Sequence, residues 1–359
     1  MNILIDIGHP AHVHFFYSIY SILKEKHNFY FTCRNVEIIK HLLDYYKIHY
    51  YVLGNKGQGI FDKFKVQFRF TKELHNIIEE NNIDIACGVS TVYSARGTKA
   101  KSIVFCDDDR SVIKFFSKFV LPYANCVLSP EALQYESNRN VIYYPGQHEL
   151  SYLHPKRYVP NDSFMNYSNI RKGDIYFVLR FSAFTAHHDK NENGMDYKQK
   201  KTLIEFLEQY GKVFITSEKQ LPSEFEEYSV PVEPQDIHNM MYYATMTISD
   251  SQTMSSESAI LGTPSFRCNS FSGRLSVLEE LEKVYSLTFS YPINLFDLMI
   301  KRIKYELELG DIKKRQRVLL DRYYQDKIDV AAFWAWFIEN YPDSQRIVRS
   351  SKFTFDEFM

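Results

Sequence analysis

Residues 248–264, Ile-Ser-Asp-Ser-Gln-Thr-Met-Ser-Ser-Glu-Ser-Ala-Ile-Leu-Gly-Thr-Pro, hold the densest set of side chains able to do chemistry. The spacing predicts a short apolar strand ending at Asp250 and a helix over 252–261, closed by Gly262 as the C′ residue and Pro264 as the stop. As secondary structure alone this is a capped helix, with Asp250 or Ser251 at the N-cap. As a site it is a helix N-terminus lined by the hydroxyls of Ser251 and Thr253, which suits a phosphate. Glu257, about two turns further in, can take the two hydroxyls of a ribose. Together these parts make a seat for a nucleoside diphosphate.

Three other stretches carry titratable groups where a strand gives way to a turn. The first is Asp6-Ile7-Gly8-His9-Pro10-Ala11-His12-Val13-His14-Phe15-Phe16. Gly8 and Pro10 shape a tight turn, and an imidazole with a pKa of about 6.5 can take a proton from a hydroxyl at neutral pH. His12 and His14 are the candidate bases, or else helix-face residues with structural hydrogen bonds. The second is Phe105-Cys106-Asp107-Asp108-Asp109-Arg110. Asp107-Asp108-Asp109 reads as a D-x-D metal site, as carboxylates facing a ligand, Asp107 or Asp108 among them, or as a solvated acidic turn. The third is Arg180 through Asp189, in which Arg180 and His187 could neutralise a diphosphate, or His187, His188 and Asp189 form a surface loop.

Bulk properties narrow the class. A chain of 359 residues exceeds what one core usually serves, so two domains are expected. Up to residue 160 there are 19 Lys+Arg against 15 Asp+Glu, net +4; beyond it 24 against 29, net −5. Neither half has the concentrated basic stripe that duplex nucleic acid requires. The five cysteines lack metal-ligand spacing, and most lie in apolar runs as buried thiols. No G-x-G-x-x-G or Walker A sequence occurs, against a dehydrogenase or a phosphate-loop ATPase. No signal peptide is expected, and no apolar run reaches the roughly 20 residues of a membrane span, so a cytoplasmic protein is expected.

The elements that must position these groups alternate from the first residues. Strands are predicted at 3–7, 28–33, 49–53, 83–88, 102–107 and 125–129, with helices at 12–26, 36–46 and 60–81 between them. An irregular stretch over 152–174 is the expected linker. The pattern restarts with strands at 175–179, 212–216, near 230, 246–249 and 265–267, and helices at 197–210, 237–243 and 252–261. Helical segments follow at 274–284, 295–309 and 329–340. This is a βαβ series, hence two open parallel sheets with helices on both faces. The expected domains are 1–160 and 174–359, the last helix crossing back to the first domain. Ligands should meet the carboxyl ends of the strands, in loops facing a cleft. Two segments mix basic and aromatic residues, as at an anionic membrane surface: 60–81 with Lys63, Lys65, Arg69, Phe64 and Phe68, and 110–123 with Lys114, Phe115, Lys118 and Phe119.

Asp6 through Phe16, and Tyr144-Pro145-Gly146 with His148-Glu149-Leu150, resemble a family of uncharacterised bacterial and archaeal proteins. That family is grouped with the GT-B glycosyltransferases and the non-hydrolysing UDP-N-acetylglucosamine 2-epimerases. Asp250-Ser251 with Glu257 is similar to the Asp-Ser-Gly-Gly and later Glu of the epimerases, Gln252 and Thr253 standing in place of the glycines. Thr185-Ala186-His187 resembles the epimerase Thr-Gly-His, and Ser129-Pro130-Glu131 resembles Pro-Thr-Glu. The epimerase segment carrying a further catalytic Glu is absent, and Phe105–Arg110 stands near its place.

The resemblance implies an α/β fold of two Rossmann-like doubly wound domains facing a cleft, of GT-B type. It implies a metal-independent glycosyltransferase moving a sugar from a nucleoside-diphosphate donor to a surface-polysaccharide or lipid-linked glycan. In that reading Arg180, His187, Ser251, Thr253 and Glu257 bind the donor. His12 or His14 is the base, Asp107 or Asp108 assists, and Gly8, His148 and Glu149 contact a sugar. No cofactor beyond the nucleotide sugar, no metal and no nucleic acid are expected. Peripheral contact with the inner face of the plasma membrane is. The alternatives are a sugar-nucleotide 2-epimerase and a non-catalytic sugar-nucleotide binder.

Overall fold

The computed structural model describes residues 1–54, 60–133, 140–181, 194–217, 221–229 and 232–359. The chain divides into two units: Met1–Arg157 with Lys327–Met359, and Tyr158–Asp326.

The first unit is built on β1 (Asn2–Ile7), β2 (Asn28–Cys33), β3 (Tyr50–Val52), β4 (Ile85–Cys87), β5 (Lys101–Phe105), β6 (Cys126–Pro130) and β7 (Val141–Tyr144). All pair in parallel, in the order β3-β2-β1-β4-β5-β6-β7. The strands read as apolar runs because both sheet faces are covered, and Ile3, Leu4, Ile5, Ile103 and Val104 are buried. Helices α1 (Pro10–Leu23), α2 (Glu37–Tyr45), α3 (Ile60–Glu80), α4 (Thr91–Ser94), α5 (Lys114–Phe119) and α6 (Leu150–Leu153) connect or follow the strands. The order reverses between β1 and β4. There Gly88 has φ +119°, and a Cβ on it would lie 2.6 Å from the Asp6 carbonyl oxygen, so only glycine fits.

The second unit has β8 (Tyr176–Phe181), β9 (Lys212–Ser217), β10 (Met246–Ser249), β11 (Ser265–Cys268) and β12 (Thr288–Tyr291). They are parallel in the order β12-β11-β10-β8-β9, so this sheet reverses between β8 and β10. Around it lie α7 (Tyr197–Leu207), α8 (Ile237–Tyr243), α9 (Gln252–Ile260), α10 (Ser276–Lys283), α11 (Phe296–Leu309) and α12 (Ile312–Asp326). The chain then returns to the first unit as α13 (Val330–Glu339) and α14 (Asp343–Val348).

Against the expected 174–359 with its last helix crossing back, the second unit ends at Asp326. Residues from Lys327 onward belong with the first unit. Arg157 grips Asp329 through Nε at 2.8 Å, the Lys327 ammonium meets Glu131 at 3.0 Å, and fully buried Trp334 packs its ring 5.0 Å from Phe15 of α1. Residues 158–173 join the second unit instead of linking the two. Tyr158 Oη donates to Asn239 Oδ1 at 2.8 Å, and Phe164 is buried near Tyr243.

The structure also contains β7, β12, α12 and α14, for which the sequence pattern gave no expectation. β7 and β12 are edge strands of four residues, too short for a clear period. The strand expected near 230 lies outside the described residues. Among the described residues no helix is long and apolar enough to cross a membrane.

Candidate functional site

Carboxyl ends of three strands in the first sheet bring together the side chains that resemble acid–base machinery. After β1, His9 is the N-cap of α1, its Nδ1 accepting the Ala11 N–H at 3.2 Å. This turn explains the crowding of histidines. His9 caps, His12 stands one turn into the helix, and His14 points to the other side, since two helical residues are about 200° apart. Gly8 has no left-handed backbone. A Cβ there would meet the His12 ring at 3.9 Å and nothing closer, so the space before it is open.

His12 packs edge-on against Phe105, the last residue of β5, with ring centres 4.8 Å apart. Two residues on, Asp107 Oδ2 meets His148 Nδ1 at 2.8 Å. His148 follows β7 and also approaches Glu149 Oε2 at 3.5 Å, while Gln147 donates to that same oxygen at 3.1 Å. The Asp107 side chain keeps 27% of its surface exposed, enough to meet a ligand. Ser129 Oγ donates to the Cys106 carbonyl at 2.7 Å and fixes the β5 exit to the end of β6.

Electrostatics split the neighbouring carboxyls. Burial acts to raise Asp107, but His148 and then His12 outweigh it and hold the group below the usual carboxylate range. Asp108 is raised to about 7, by burial first and then by the Asp107 charge. It lines a narrow crevice with Cys106, Arg110 and Ser129. One carboxyl thus stays ionised while the other exchanges its proton near neutrality, the arrangement that separates acid from base roles. His12 is lowered to about 3 by burial and by His9, with Asp107 opposing, and so stays neutral.

His14 departs from its expected place. It is buried, its Nδ1 lies 2.9 Å from the Tyr46 hydroxyl, and its ring is 5.5 Å from that of Tyr152. It joins α1 to α2 and α6 and does not share the His12–Asp107–His148 cluster, because its helical phase turns it into the core.

In the second sheet, Arg180 near the end of β8 sits in register with Ser249 at the end of β10, and Asp250 N–H donates to the Arg180 carbonyl at 3.2 Å. This is where the strand order reverses, the usual place for a ligand in open α/β sheets. Ser251 is the N-cap of α9, its Oγ accepting Met254 N–H at 3.4 Å. Ser255 Oγ donates to the Ser251 carbonyl at 2.7 Å, and Asn269 Nδ2 donates to the Asp250 carbonyl at 2.8 Å. The hydroxyls thus brace the turn. Ser251, Gln252 and Thr253 are half-buried, whereas Met254 to Ile260 are buried, so α9 presents its first turn and hides the rest. Gly262 has φ +70°, as expected of the C′ residue.

Glu257 is 6% exposed, and its Oε1 lies 3.0 Å from His238 Nε2 of α8. His187 lies outside the described residues, as do Thr185, Ala186, His188 and Asp189. Among the described residues no group of three or more His, Cys, Asp or Glu is placed to hold a metal ion.

Sequence reasoning passed over three partners. His238 gave no signal beyond lying in the helix expected over 237–243. Lys327, 1% exposed, pairs with Glu131 after β6 from far along the chain. Arg34 follows β2 directly; it is buried against Asp6 at 3.4 Å and Ser90 at 2.6 Å, with its guanidinium 4.2 Å above Phe70.

Solved structures similar to this fold include UDP-N-acetylglucosamine 2-epimerases and glycosyltransferases. S. aureus MnaA, solved with UDP, is 12% identical with a TM-score of 0.67, over 96% of this chain and 97% of that one. The UDP-GlcNAc 2-epimerase of Neisseria meningitidis, bound to UDP-GlcNAc, is 11% identical with a TM-score of 0.64, over 94% and 98%. The spinosyn rhamnosyltransferase SpnG, complexed with spinosyn aglycone, is 10% identical with a TM-score of 0.58, over 95% and 100%. At such identities the likeness establishes the fold, two Rossmann-like domains of GT-B type. No curated protein matches the chain. Residues 1–284 match the model described as protein of unknown function (DUF354), and the chain belongs to that family.

Proposed function

We propose that the protein is a glycosyltransferase of GT-B type, using a nucleoside-diphosphate sugar as donor and a hydroxyl of a surface-polysaccharide or lipid-linked glycan as acceptor. The observation that carries this reading is the Asp107–His148 pair at the carboxyl edge of the first sheet, with His12 beside it. An imidazole whose Nδ1 is held by a carboxylate is oriented for proton transfer at Nε2, and the carboxylate stabilises the imidazolium that forms. His148 therefore takes the acceptor proton. His12, kept neutral by burial, lines the same face and orients the acceptor. His148 thereby replaces His12 and His14 as the base, and Gly8 leaves room for the acceptor.

The second unit binds the donor. The diphosphate lies against the first turn of α9 at Ser251 and Thr253, with Arg180 adding positive charge, and Glu257, already oriented by His238, receives the ribose hydroxyls. The acceptor oxygen attacks the anomeric carbon, its proton passes to His148, and the carbon–oxygen bond to phosphate breaks with its electron pair leaving on the nucleoside diphosphate. Helix dipole and Arg180 stabilise that departing charge, the work a metal performs elsewhere. His187 belongs to this donor set by its sequence position.

A second reading, sugar-nucleotide 2-epimerisation, is favoured by the split pair Asp107 and Asp108, which suits withdrawal and return of a proton. The solved neighbours also include UDP-GlcNAc 2-epimerases, the Neisseria enzyme among them. Incubation with UDP-N-acetylglucosamine alone separates the two. Conversion to the manno isomer without acceptor refutes the transferase; sugar transfer only with added glycan acceptor supports it. A thermal-shift series over UDP-, GDP-, CMP- and dTDP-sugars identifies the donor first, because a ligand at 100 times its Kd adds about 2.7 kcal/mol.

A further inference from the structure

α5 buries none of its six residues. Phe116 leans on the core, but Phe115 is 59% and Phe119 46% exposed, their rings 5.0 Å apart. The surface continues without a break. The Phe119 carbonyl accepts the Tyr93 hydroxyl of α4, and the Tyr93 ring lies 5.8 Å from that of Tyr123, which is 52% exposed. Cations cover its edges: Arg96 stands 5.0 Å above Tyr123 and Lys118 5.5 Å from Phe119. Arg96, Lys114 and Lys118 carry the positive charge of this surface, and α4, α5 and the turn Leu121–Tyr123 contain no Asp or Glu.

We propose that this surface of α4, α5 and the turn Leu121–Tyr123 docks the protein on an anionic lipid bilayer. Exposed rings that share a patch with cations match the boundary between headgroups and acyl chains, where rings enter and ammonium groups meet lipid phosphate. A second copy of the chain is the poorer occupant, because a twofold pairing would set this positive charge against itself. The docking gives the proposed transferase access to a lipid-linked acceptor, and rests on that reading only for this purpose. Binding itself needs neither donor nor acceptor, so it fails or stands separately.

The test is flotation of the full chain with vesicles of phosphatidylcholine alone and of phosphatidylcholine with phosphatidylglycerol in equal parts. The protein should float with the anionic vesicles and stay behind with the neutral ones. Lys114→Ala with Lys118→Ala should weaken binding roughly 25-fold, at about fivefold per cation. Phe115→Ala with Phe119→Ala should weaken it at least about tenfold, given the ring area withdrawn from the acyl boundary. All four residues are exposed or nearly so, and an unchanged melting temperature verifies that the variants fold. Absence of flotation with anionic vesicles, equal flotation of wild type and variants, or self-association that the Phe substitutions abolish would each overturn the proposal.

Discussion

The raised carboxyl of Asp108 makes a prediction in which stability and function move in opposite directions. The group is raised from 3.8 to about 7 because burial and the neighbouring Asp107 both disfavour its charge. A folded-state pKa above the unfolded one means that the native state binds the extra proton. The contribution to stability is therefore fully present below about pH 4 and is lost as pH rises through 7. Three pH units at 1.36 kcal/mol each give an upper limit on the order of 4 kcal/mol between pH 4 and pH 8. Asp108→Asn keeps the shape, keeps a hydrogen-bonding group and removes the titration. It should change little at pH 4 and stabilise by a few kcal/mol at pH 8, flattening the pH dependence of denaturant midpoints. If Asp108 exchanges protons in the reaction, the same variant should lose activity at least about 100-fold. Such a trade is what a functional carboxyl held in an unfavourable setting produces. A variant no more stable than wild type at pH 8, with unchanged pH dependence, would refute the reasoning about the carboxyl pair.

Other perturbations test separate parts of the structure. Asp107→Asn should lower kcat by about 100- to 10,000-fold with little change in donor affinity, measured by turnover and donor thermal shift, since it withdraws the charge facing His148 without touching the second unit. His238→Ala leaves the buried Glu257 without its imidazole and should cost about 1–3 kcal/mol in urea unfolding; it should also reduce the thermal shift given by the donor. Trp334→Ala should cost about 3–5 kcal/mol by cavity formation against Phe15 and Phe16, read as a lowered denaturation midpoint. His14→Phe should leave donor turnover within a few-fold of wild type, because His14 serves packing with Tyr46 and Tyr152 and not the acid–base cluster.

The local chain chemistry determined a large share of the architecture. Apolar runs such as Ile3–Ile7 and Phe177–Leu179 fix buried parallel strands, and Ser251 with Gly262 and Pro264 bounds α9 through rules that act within one helix. Topology alone pointed to the carboxyl edge of each sheet, and His12, Asp107, Arg180 and Ser251 stand at or near strand ends there. Pairing was not legible in the same way. Asp107 meets His148, Glu257 meets His238 and Glu131 meets Lys327 across separations that leave no periodic trace, and each partner is chosen by where the fold brings distant turns together. Helical phase sorted His9, His12 and His14 into a cap, a residue packed on Phe105 and a core residue, a distinction that depends on what α1 packs against. The crossing of the last helix back to the first domain was an expectation from the sequence, and the burial of Trp334 against Phe15 of α1 is the contact that seats α13 there. Sequence thus determined which side chains stood at the strand ends, because backbone geometry is local. Tertiary structure decided which charges neutralise one another, because electrostatic pairing depends on distance in space.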